Sequence, residues 1–187
     1  MNSNQILVRK ISHLTDARYF AAMGVDWMSI ELNNDPTSFI RWHTLKDWVS
    51  GVKMAAEIIV QDEMLIAKTI IDAKPDGIVF HQADLPEGIH DIQLFFDAMS
   101  SDDATFHEDH IRIYPFGSLD KEQLLTLDPQ TTFIEADWTV PMLDQLLESG
   151  YTGGICFTGG EEDVTGVRDY EMMDELLERL NGKWLGG

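Results

Sequence analysis

The chain has 187 residues, 44% of them hydrophobic and 10% aromatic, which is enough apolar material for one folded unit with a real core. Thirty-three acidic residues against thirteen basic ones leave a formal charge of −20, which excludes the basic footprint that nucleic acids require. The same charge repels anionic metabolites at long range, so any phosphate site has to be compensated locally.

A single cysteine, Cys156, rules out an internal disulfide and fits a reducing cytoplasm. The opening residues Met1-Asn2-Ser3-Asn4-Gln5 lack the charged and apolar regions of a secretory signal. The apolar runs fall well short of the ~20 residues that cross a bilayer. These features predict a soluble, cytoplasmic protein with neither nucleic-acid nor membrane partners.

Short apolar runs at near-even spacing predict buried parallel strands at 7–12, 27–32, 53–60, 77–81, 91–99, 111–116, 132–137 and 154–158. Amphipathic stretches between several of them predict helices at 16–23, 38–49, 63–73, 121–125, 140–148 and 170–180, with Gly24, Gly51 and Gly150 where helices should stop. Eight strands alternating with helices predict one (β/α)8 barrel, the TIM-barrel fold, across 1–187.

Two crossovers around the fourth and fifth strands are too short for a full helix. One runs from Gln82 to His90 and contains Pro86 and Gly88; the other is the acidic stretch 100–110. The outer flank of the fifth strand (Ile92, Leu94, Phe96) would then lie bare, which predicts a homodimer through that face. A competing layout makes 91–99 a helix and leaves the barrel one strand short.

The most informative stretch is Gly154-Ile155-Cys156-Phe157-Thr158-Gly159-Gly160-Glu161-Glu162, followed by Gly166-Val167-Arg168-Asp169. A strand running into small residues and then a helix leaves backbone N–H groups free to cradle an anion, as after the last strands of many barrels. The segment resembles the final strand and phosphate loop of the phosphoribosylanthranilate isomerase family, whose pattern there reads G-V-D-V-S-S-G-V-E, then P-G and K-D. The glycines at 154, 160 and 166, Glu162 and Asp169 fall in register without a gap.

Near the start, Lys10-Ile11-Ser12-His13-Leu14-Thr15, then Asp16-Ala17 and Gly24-Val25-Asp26, is similar to the family's K-I-C-G-L-T, D-A and G-A-D. The likeness covers 8–32 and 132–180, and elsewhere rests on order and length. It implies an aldose–ketose isomerase of tryptophan biosynthesis that needs no cofactor. The reaction is an Amadori rearrangement of a small phosphorylated ribosylamine, with a phosphate held by Thr158, Gly159, Gly160 and Arg168.

The residues depart from that pattern where the chemistry lies. The family's general-base cysteine is Ser12 here; a thiol titrates near about 8.5, whereas a hydroxyl needs an adjacent base. His13 is the neighbour, in place of a glycine. The sixth strand ends without the family's general acid, and Asp120 beyond it reads as a helix N-cap. The F-I-L-A-G-G-L of the seventh strand has become Phe133-Ile134-Glu135-Ala136-Asp137-Trp138-Thr139. Asp137 is therefore either a displaced acid or a cap for the next helix, and the Trp138 indole stands where a phosphate would lie.

His81, similar to the histidine of the family's V-Q-L-H-G, joins Lys10, His13 and Trp138 as pocket wall. Glu31 and Glu57, inside apolar strands, need partners, for which Lys10, Lys53 or Arg112 are the candidates. The histidine spacing matches no zinc pattern. Two functions stay open: an isomerase of this type, or a non-catalytic barrel that binds a sugar phosphate or serves in assembly.

Overall fold

The computed structural model describes residues 4–59, 62–81, 89, 91–98, 109–159 and 170–181. Eight strands, β1 (Ile6–Arg9), β2 (Trp27–Glu31), β3 (Lys53–Ile58), β4 (Gly77–Phe80), β5 (Gln93–Asp97), β6 (Ile111–Pro115), β7 (Thr132–Glu135) and β8 (Gly154–Thr158), pair in parallel in chain order. The circle closes where β8 pairs with β1, Ile6 opposite Ile155 and Arg9 opposite Thr158. This is a closed TIM barrel, and 91–98 contributes a strand, not a helix.

The helices are α1 (Leu14–Ala22), α2 (Pro36–Trp48), α3 (Glu63–Lys68), α4 (Lys121–Thr126), α5 (Val140–Glu148) and α6 (Glu171–Leu180); α3 runs on into a π-helical turn over Thr69–Ala73. Three of the starts have a local cause in a side-chain cap. Asp35 and Asp62 cap α2 and α3 through their carboxylates. Asp120 and Gln123 form a reciprocal capping box on α4, as its sequence predicts. Gly150 ends α5 at φ +91°, a conformation that disfavours any other residue.

Because successive strand residues face opposite ways, the barrel has two cores. Leu7, Trp27, Ala55, Val79, Phe95, Ile111, Ile113, Phe133 and Cys156 fill the lumen. A larger layer between sheet and helices includes Val8, Ile30, Trp42, Ile78, Phe96, Ile134, Leu146 and Leu177. In that layer Leu94 is 6% and Phe96 1% exposed, and Phe96 lies against Phe80 and His110. Two of the three residues expected on a bare outer flank of β5, Leu94 and Phe96, are thus covered within the chain, and Ile92 is partly buried. The two short crossovers fall mostly outside the described residues. Among the described residues no helix is long and apolar enough to cross a membrane.

Candidate functional site

At the C-terminal ends of the strands the lumen changes from apolar to charged. Arg9 projects inward two residues beyond Leu7 and is 2% exposed. Its Nη2 donates to Glu57 Oε1 on β3 (2.7 Å), and its Nη1 donates to both Asp97 Oδ1 on β5 and Glu135 Oε2 on β7 (2.8 Å each). Glu57 also accepts from the Ser29 hydroxyl at 2.6 Å. His81, just past β4, sets Nε2 at 3.0 Å from Glu57 and Nδ1 at 2.7 Å from Asp97. Thr158 on β8 donates to Glu135 at 3.2 Å. Residues on, or just past, seven of the eight strands thus feed one network.

The network fixes its protonation states. Burial opposes the Arg9 charge, but the carboxylates, Glu57 foremost, outweigh it and hold the guanidinium above its usual range. Burial likewise works against an ionised Glu57, yet bonds from His81 and Arg9 hold it down to about 2. Asp97, next to the same two cations, is also lowered despite its burial. Hydrogen bonds to Asp97 and then Glu57 push His81 up to about 9, so at neutral pH it is an imidazolium donating from both nitrogens. Cys156 lies beneath, fully buried, with burial and then Glu135 raising its thiol pKa.

The sequence-predicted site residues separate into two groups. β1 ends at Arg9 because Lys10 takes up a left-handed conformation (φ 58°) unusual for a side-chain-bearing residue. Its amide is caught by Ser29 Oγ at 3.1 Å, and the next amide, of Ile11, by the Ser29 carbonyl at 2.8 Å. The kink turns Lys10 out of the lumen and leaves Arg9, not Lys10, Lys53 or Arg112, as the partner of Glu57. Ser12 therefore sits beyond the strand, in the wall of a side cavity of about 370 Å³ shared with Lys10, Ile11, Glu31, Arg41, Thr158 and Gly159. His13 is exposed at the start of α1, and its ring does not cap that helix.

Three expected site residues lie at the other end, after β7 and β8. The Trp138 ring lies in the layer between sheet and helices, 5% exposed, beside Phe116 and with Nε1 donating to the Cys156 carbonyl at 2.8 Å. Asp137 is exposed and accepts no hydrogen bond among the described residues, and α5 begins at Thr139 without a side-chain cap, so Asp137 is not its cap. The Gly159 amide, expected to face an anion, donates to the Arg9 carbonyl at 2.7 Å. A Cβ there would meet that same oxygen at 2.8 Å, so the glycine serves the close approach of β8 to β1. Gly160 and Arg168 lie outside the described residues.

The chain superposes on phosphoribosylanthranilate isomerase from Pyrococcus furiosus with a TM-score of 0.74 at 9% identity, covering 96% of this chain and 99% of that one. The Thermus thermophilus enzyme gives 0.73 at 13% identity over the same shares. So does a phosphoribosylanthranilate isomerase in complex with reduced 1-(o-carboxyphenylamino)-1-deoxyribulose 5-phosphate, at 10% identity. This chain carries their fold. A truncated 3-deoxy-D-arabino-heptulosonate 7-phosphate synthase from Thermotoga maritima also matches, with a TM-score of 0.67 at 11% identity, covering 97% and 87%. No family model and no curated protein sequence matches the chain. Likeness at such identities establishes architecture, and the site has to speak for function.

Sequence reasoning missed Arg9, Asp97 and Glu135 as site residues. The signal was a repeated apolar-x-polar step: Leu7 to Arg9, Ala55 to Glu57, Val79 to His81, Phe95 to Asp97, Phe133 to Glu135 and Cys156 to Thr158. In each, a lumen residue is followed two positions later by one at the mouth.

Proposed function

We propose that this chain is a divergent barrel of the phosphoribosylanthranilate isomerase type that binds a small phosphorylated metabolite at its mouth and does not run the Amadori rearrangement at a proficient rate. The observation that carries the reading is the Arg9 network. The centre of the mouth, where a barrel of this kind keeps its reacting groups, is occupied by charges already paired with one another. A general base and a general acid are each worth about 10²–10⁴-fold. Ser12 has no base bonded to its hydroxyl among the described residues, and Asp137 stands in solvent.

The ligand's anionic group belongs in the side cavity, where Lys10 and Arg41 supply charge and the Ser12 and Thr158 hydroxyls supply donors. Gly160 and Arg168 would complete the cradle expected from the sequence. Expression in a tryptophan auxotroph lacking the isomerase tests the negative half: no growth is expected, including with Ser12→Cys, because the acid is also missing. Robust turnover of phosphoribosylanthranilate by either protein refutes it. Thermal stabilisation by ribose 5-phosphate, weakened in Arg41→Ala, tests the positive half.

A further inference from the structure

The side cavity carries both signs of charge without neutralising them internally. Lys10 and Arg41 line it together with Glu31. Among the described residues, none of the three makes an ion pair within 4 Å with any partner. The contrast is with Arg9, a short distance inward, which is bonded to three carboxylates. Glu31 accepts only a long bond, 3.3 Å, from Asn33. The Arg41 Nε is buried with no hydrogen-bond partner. Below Thr158, the wall shared with the central network, lies Glu135.

Resting on the phosphate-binding reading above, we propose that the cavity takes a zwitterion: a small sugar phosphate bearing a protonated aliphatic amine, with its phosphate on Lys10 and Arg41 and its ammonium on Glu31. A cavity of about 370 Å³ is of the size that holds a molecule of that class. The chain's charge of −20 favours the same conclusion, because an ammonium on the ligand offsets the long-range repulsion that a bare dianion meets. An N-aryl amine, whose nitrogen is uncharged at neutral pH, gains nothing from Glu31.

Isothermal titration of the whole chain at pH 7 with glucosamine 6-phosphate, glucose 6-phosphate and inorganic phosphate tests this. The first two differ in one group, ammonium against hydroxyl. Glucosamine 6-phosphate is expected to bind about fivefold tighter than glucose 6-phosphate, the worth of one partly exposed charge pair. In Glu31→Gln the preference should collapse to less than about twofold while glucose 6-phosphate binds as before. Equal affinities in the unmodified chain, or a preference that survives Glu31→Gln, overturn the zwitterion and leave the phosphate reading standing. Failure of all three probes to bind overturns both.

Discussion

Replacing Arg9 with methionine keeps much of the side-chain stem and removes the charge on which the mouth is built. Glu57, 0% exposed, would then face the lumen with only His81 as a cation, while Asp97 and Glu135 lose their shared donor. Removing one partner of a buried ion pair costs about 3–5 kcal/mol. The depression of Glu57 from 4.5 to about 2 gives an independent scale, roughly 3 kcal/mol from the pKa change alone.

For a chain of this size each kcal/mol moves Tm by about 2–4 °C, so Arg9→Met should melt roughly 6–20 °C lower at pH 7. The deficit should also depend on pH, with a definite sign. In the native chain Glu57 is lowered, so its contribution is complete above 4.5 and is lost only as pH falls towards 2. Without Arg9, an ionised Glu57 is held against its burial only by His81 and Ser29, so its pKa rises and the variant gains relative stability as the carboxylate protonates. Thermal unfolding followed by circular dichroism at pH 7 and pH 5 should show the larger gap at pH 7. A Tm within about 2 °C of the unmodified chain, or an equal gap at both pH values, would refute the account of the network.

His81, raised from 6.5 to about 9, stabilises the fold fully below pH 6.5 and loses that contribution as pH rises through about 9. Tm should therefore fall between pH 7 and pH 10, and His81→Asn should flatten that limb; a flat profile in the unmodified chain contradicts the double hydrogen bond. Gly159→Ala brings a Cβ against the Arg9 carbonyl and should destabilise by about 1–3 kcal/mol in urea unfolding, whereas an unchanged midpoint would mean that the β8–β1 seam yields freely. Cys156, buried with a raised thiol pKa, should resist a disulfide reagent in the native protein and react with one equivalent after denaturation.

The barrel was legible because each strand is a short apolar run and three helix starts, those of α2, α3 and α4, carry their own caps; Asp120, the glycine stops and β5 (Gln93–Asp97) all follow from local chemistry. The mouth was harder to read. Lys10, Lys53 and Arg112 were the expected partners of Glu57, but a single left-handed residue after Arg9 decides which of two adjacent basic residues enters the lumen, and Lys10 lines the side cavity instead. Nothing in a lysine announces φ +58°. Trp138 was misplaced for a related reason: past the end of β7, strand alternation no longer dictates direction, and packing beside Phe116 and Phe157 decides it. The partners of Glu57 depended on closure of the whole ring, which no local window contains.

That last dependence reaches into the order in which the molecule can be made. Arg9 emerges on the first strand, but its counter-ions follow 48, 88 and 126 residues later. A nascent chain that has not yet produced β7 holds a cation still short of one partner, and the seam between β1 and β8 cannot form until β8 arrives. Contacts of such sequence separation are slow to assemble. The ring is thus locked at its final step, and a half-length fragment would lack both the lock and the key.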